Sequence, residues 1–223
     1  MKLQRTTLGL VLLAALLGGF AYFYEIQGAS QRQQTQTEAK KLFPFKESQI
    51  AGFTVKTGQQ TLVFQRTQGH QNPKGDKQGQ SSAWTLQVQT ANAKQLSPQP
   101  ASEASVAYLL NLLATGQRQP LSETIDQKQL TAPASRAQEF GLDQPLATVE
   151  VKLDNQARHR LILGKPNFNN SALYAQVDPP TQSTAELQIA LVSMDFRNAV
   201  TRPLSEWKAQ PPKPQKTPSP SPS

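Results

Sequence analysis

The 223-residue chain has two histidines, His70 and His159, and each lies among residues that could build a reactive site. His159 sits in the run EFGLDQPLATVEVKLDNQARHRLILGKPNFNNSALYAQV (139–177), with Glu150 and Arg160 close by. An imidazole works as a general base or a metal ligand only when a carboxylate, a hydroxyl or further ligands stand beside it. Strand alternation puts no carboxylate, serine or second histidine on the face of His159, so it reads as scaffold. His70 lies in the polar loop 68–82, where Asp76 is the only acid, and reads as a free surface imidazole. G-x-S-x-G, H-E-x-x-H, P-loop and G-x-G-x-x-G patterns are all absent. The chain has no cysteine, which excludes thiol catalysis, zinc–thiolate centres and iron–sulfur clusters. A serine with a lysine base, or a carboxylate pair assembled by tertiary contacts, is the enzymatic route that remains. No catalytic, cofactor-binding or metal-binding residue is assigned, no cofactor is expected, and the chain is read as not an enzyme.

The elements that position His159 form a hairpin. Val149, Val151 and Leu153 alternate with Thr148, Glu150 and Lys152, giving one apolar face. On the return strand His159, Leu161 and Leu163 share a face. A two-residue loop would pair Val151 with Arg160, on the wrong face, because a one-residue slip inverts a strand. A three-residue loop, Asp154-Asn155-Gln156, pairs Leu153 with Ala157, Val151 with His159 and Val149 with Leu161. It sets Glu150 opposite Arg160, which is favourable, and Lys152 opposite Arg158, which is not. Asn155 is the residue expected to tolerate a left-handed turn.

Around this hairpin the chain is β-rich with short helices. FTVKT-GQQ-TLVFQRT predicts another hairpin, and AWTLQVQT a third strand. Ser102 is placed to cap a helix bearing Val106, Leu109, Leu110 and Leu113, with Tyr108 and Leu112 widening its apolar surface and Gly116 ending it. Ser135 and Gln138 suggest a capping box for a small helix that stops at Phe140, with Gly141 left-handed after it. ALYAQV and ELQIALV alternate as two more strands. Ser193 suits the cap of a last helix carrying Phe196 and Val200, and Trp207 is expected to cover the core. The expected fold is α+β: a β-rich domain over 42–207, built of two similar hairpin–strand–helix halves, about 42–116 and 135–207.

The flanks differ in kind. Residues 6–26 hold no charge except Glu25, and a helix of about 20 apolar residues matches a bilayer core. Residues 1–27 are therefore predicted to be a transmembrane anchor, with Lys2 and Arg5 cytoplasmic and Tyr22, Phe23 and Tyr24 in the interface. The competing reading is a cleaved signal peptide, for which only the weak Ile26-Gln27-Gly28 site is offered. Residues 28–41 form a Gln-rich tether, and residues 208–223, rich in Pro and Ser, are predicted to be disordered. The main domain is thus expected on the extracytoplasmic side, periplasmic or lumenal. Lacking cysteine, it relies on a packed core instead of disulfides. The net charge of +8 is dispersed: residues 40–208 carry eighteen bases and thirteen acids without a run, so nucleic-acid binding is not expected.

LFPFKE, VAYLLNLLATG, EFGLDQPLATVEVKL, HRLILGKP, LYAQVD and NAVTRPLSEW, behind an apolar run ending in FYE, resemble the bacterial family called domain of unknown function 4340. The likeness covers residues 2–207 and is most specific in FGLDQPLATVEV, LILGK and LYAQV. The loop 68–82 looks like an insertion relative to that pattern. The resemblance implies a single-anchor envelope protein, with wider relatives beside export-type ABC transporter components, and it carries over no catalytic residue. The expected function is a non-enzymatic accessory or scaffold module of a membrane or envelope complex, with other envelope proteins as partners. The alternatives are an accessory component of an ABC-type export system and, less favoured, an envelope hydrolase.

Overall fold

The computed structural model describes residues 40–67, 84–90, 97–120, 130–180 and 185–210. The expected anchor 1–27, nearly all of the tether, His70 with its loop, and the tail beyond residue 210 lie outside them. Among the described residues no helix is long and apolar enough to cross a membrane. Contacts divide the chain into Met1–Lys41 and Leu42–Ser223, and the fold below belongs to the second unit.

Nine strands form one antiparallel sheet: β1 (Ile50–Lys56), β2 (Gln60–Arg66), β3 (Trp84–Thr90), β4 (Gln99–Pro100), β5 (Leu130–Pro133), β6 (Ala147–Leu153), β7 (Arg158–Pro166), β8 (Ala172–Val177) and β9 (Glu186–Ser193). Their order is β4-β3-β2-β1-β6-β7-β8-β9-β5. Two meanders, β1–β4 and β6–β9 with β5 added beyond β9, therefore grow outward from a seam at which β1 pairs with β6, Phe53 against Val151 and Val55 against Val149. This corrects the expected α+β fold of two hairpin–strand–helix halves. The strands of both segments merge into a single sheet because β1 and β6 each carry apolar residues on the same face, so edge-to-edge pairing buries one continuous core. Among the described residues four α-helices of the second unit accompany the sheet: α1 (Glu103–Thr115), α2 (Ala137–Phe140), α3 (Asp195–Val200) and α4 (Leu204–Trp207).

Among the described residues helix α1 is the longest. The Ser102 hydroxyl accepts from the Ser105 amide at 3.4 Å, and Val106, Leu109, Leu110 and Leu113 are buried. Gly116 ends it with an extended backbone, not a left-handed one. A Cβ there would lie 2.9 Å from a Leu42 methyl and closer still to the Leu112 carbonyl, so glycine is required by close approach. Helix α2 starts without the Ser135 cap, since Arg136 occupies its N-cap and makes no capping bond, but Gly141 does close it at φ 67°. At α3 the Ser193 hydroxyl accepts from the Asp195 amide at 3.1 Å.

One face of the sheet packs against α1, α3, α4 and residues 42–45, forming the main core around Phe43, Phe64, Phe196 and Trp207. On the other face, Phe140 of α2 with Ala132 and Ile189 makes a small second cluster over β8, β9 and β5. Over the rest of that second face, on β2, β1, β6 and β7, no helix or strand packs among the described residues. At the far end Lys208 bridges to Ala101 and the Ala209 amide donates to Pro100, so the expected tail begins with anchored residues.

Candidate functional site

The β6–β7 hairpin has the register with the three-residue loop. Val151 faces His159, Glu150 faces Arg160 and Lys152 faces Arg158. The left-handed residue is Gln156 at φ 69°, while the Asn155 side chain accepts from the Ala157 amide at 3.0 Å. The residue expected to bend the chain instead braces the bend.

Because β1, β2, β6 and β7 pair in this register, their outward residues form two rows across the second face. One row runs Gln65, Gly52, Lys152, Arg158 and the next Val63, Thr54, Glu150, Arg160. Together they line a trough of about 570 Å³, with Asp178 and Pro179 at one side. Gly52 lies in this lining, and a Cβ at the position would come within 2.9 Å of the Phe64 carbonyl, so close approach of β2 favours glycine there. Arg160 holds Glu150 at 3.0 Å, a half-exposed pair worth about 0–1 kcal/mol.

His159 does have a carboxylate partner, contrary to the sequence reading. Its Nδ1 lies 2.7 Å from Asp178 Oδ2. The other carboxylate oxygen accepts from the Arg160 amide at 2.7 Å, and the Asp178 amide donates to the Arg160 carbonyl at 2.8 Å. A carboxylate only accepts, so Nδ1 is the protonated nitrogen. Asp178 sits just past β8 with φ 47°, a backbone region that Asp tolerates better than most residues. Alternation within a strand could not show this pair. Extending the β7–β8 register of Leu161 with Val177 by one residue brings Asp178 beside Arg160.

The imidazole packs on Phe43 and Phe45, with ring centroids 5.5 and 5.1 Å away. Among the described residues no hydroxyl is bonded to it, and no three His, Cys, Asp or Glu are grouped to hold a metal ion. The pair therefore clamps residues 42–45 and the end of β8 to the start of β7. His159→Ala is expected to cost about 1–2 kcal/mol, and Asp178→Ala about 1–3 kcal/mol because it also orphans the Arg160 amide. The two losses should fall short of additive in urea denaturation, since each deletes the same bond. Strict additivity would show that the pair contributes nothing as a pair.

A second surface feature lies at the opposite end of β7. Phe168 is 91% exposed at the tip of the β7–β8 loop. The loop beneath it is tightly bonded. The buried Asn167 accepts through Oδ1 from the Ser171 amide at 2.9 Å and the Ala172 amide at 3.1 Å. Its own amide donates to the Ala172 carbonyl at 2.8 Å, and Asn169 Oδ1 accepts from the Ser171 hydroxyl at 2.7 Å. Asn170 takes the left-handed conformation at φ 56° that Asn accommodates. The sequence offered a signal here, an Asn-rich turn around one aromatic residue, that hydrophobic patterning does not use. Elsewhere Arg136 grips Glu139 with bonds of 2.9 and 2.6 Å, which hold that carboxyl below the usual carboxylate range and raise Arg136. Both side chains are about half exposed on the surface of α2 and mark no site.

No protein-family model, curated protein or solved structure matches this chain.

Proposed function

We propose that this chain is a membrane-tethered, extracytoplasmic accessory or scaffold module that acts by contact instead of catalysis. The observation that carries the reading is Phe168. A fixed loop holds a whole aromatic ring in water, and burying such a ring in a partner is worth about 1.5–3 kcal/mol. The loop is already ordered, so docking loses little conformational entropy, the condition under which an aromatic anchor contributes most. The apolar run at 6–26 and the polar tether after it support membrane attachment, and tethering raises the effective concentration of the domain toward other membrane-bound proteins. The likeness to the domain of unknown function 4340 supports an envelope setting in the same way.

The test places a photo-crosslinking phenylalanine analogue at position 168 of the full chain in native membranes, with exposed Lys56 as the control position. A discrete adduct from position 168 to an integral membrane or envelope protein is expected, and none from position 56. Phe168→Ala should leave the melting temperature unchanged yet lower recovery of that partner. If Phe168→Ala fully supports the partner's recovery and the cellular role of the protein, the contact reading fails.

A further inference from the structure

Lys152 and Arg158 stand directly opposite each other on adjacent strands, both exposed on the trough. Like charges in that position destabilise a sheet. The nearby acids are occupied elsewhere: Glu150 by Arg160, and Asp178 by His159 and the Arg160 amide. Asp154, in the hairpin turn, makes no ion pair with either cation, and among the described residues neither has an acidic partner. Beside them, across β6, the row continues at Gly52, which lines the same trough at the level of the two cations.

We propose that Lys152 and Arg158, at their end of the trough, form a binding site for a phosphomonoester. Two adjacent unneutralised cations call for about two negative charges on one compact group. A phosphomonoester carries that charge near pH 7, and a carboxylate carries half of it. Arg158 supplies a planar fork for two oxygens and Lys152 a point charge, a division of labour suited to phosphate. The site lies at the end of the sheet where the chain enters the domain, since the Asp154 amide donates to the Gln49 carbonyl at 2.9 Å. A lipid headgroup and a soluble phosphomonoester present the same chemistry there. This site is independent of Phe168 and of the contact it is proposed to make.

The test uses the full chain in neutral-detergent micelles at constant ionic strength, because exposed charges are screened by salt. The melting temperature is followed against inorganic phosphate, glycerol phosphate and acetate. Separate arms use micelles doped with phosphatidic acid, whose headgroup is a phosphomonoester, or with phosphatidylglycerol, whose headgroup is not. Binding to the folded state raises the melting temperature with the logarithm of ligand concentration. A rise is expected with phosphate or glycerol phosphate, which assigns a soluble ligand, or with phosphatidic acid alone, which assigns a headgroup. Acetate should produce little. Arg158→Glu should not lower the melting temperature without ligand, because it relieves the like-charge pair, yet it should abolish the ligand-induced rise. Lys152→Gln should weaken apparent affinity about tenfold or more. No rise in any phosphomonoester arm, an equal rise with acetate, or a rise retained in both variants would overturn the site.

Discussion

Val149→Asp is expected to leave no folded domain at neutral pH. Val149 is fully buried at the seam, paired with Val55 on β1 and Leu161 on β7, which are buried as well. A carboxylate there meets only hydrocarbon, and the effective penalty of several kcal/mol per buried ion is a large share of a typical domain stability of about 5–15 kcal/mol. Two positions along the same strand, Val151→Asp should be milder, because its cross-strand neighbour is His159, which can turn part of its bonding capacity toward the new carboxylate. Far-UV circular dichroism and urea denaturation of the two variants check the order. Equal loss in both would mean that the imidazole is fully committed to Asp178. A well-folded Val149→Asp protein would mean that the seam is not buried as described.

Trp207→Ala is the second large effect, at about 3–5 kcal/mol. Trp207 is fully buried, and its ring lies 5.0 Å from that of Phe64. Its carbonyl accepts from the Ser102 amide at 2.9 Å, so the last helix is tied to the start of α1 as well as to the core. The indole N–H has no hydrogen-bond partner among the described residues. Trp207→Phe should therefore cost clearly less than Trp207→Ala, because it removes an unpartnered donor along with part of the ring. Chemical denaturation followed by circular dichroism separates the two. If Trp207→Phe were as damaging as Trp207→Ala, the indole N–H would have to be making a bond that the packing does not show.

How much of this was legible depended on whether a feature is encoded locally. The β6–β7 register followed from alternation, because burial of Val149, Val151 and Leu161 penalises every slip of one residue. Helix α1 followed from Ser102 and its leucine spacing. The seam did not. Ile50 and Leu153 are far apart in the chain, and apolar alternation says which face a strand buries without saying which strand lies beside it. The same limit hid Asp178, whose partner is fixed by the β7–β8 pairing and not by spacing within either strand. Gly116 was legible as a helix end, but what demands glycine there is crowding by Leu42 and the Leu112 carbonyl, a tertiary contact that the sequence does not display. Ser135 matched a capping pattern, yet a 3₁₀ turn over Ala134–Arg136 moved the helix start past it.

The two outermost strands have a consequence for how this protein behaves at high local density. β4 is two residues long and ends in Pro100, and β5 is four residues long and ends in Pro133. Proline has no amide hydrogen to offer, and so short a strand gives an incoming chain little to add to. Nine strands side by side would otherwise be an open template for copy after copy to polymerise through their backbones. Among the described residues the outermost strand at each margin is short and ends in proline, which shortens that template. Crowded copies can meet through their side-chain surfaces with little edge for zipping into a continuous β-structure.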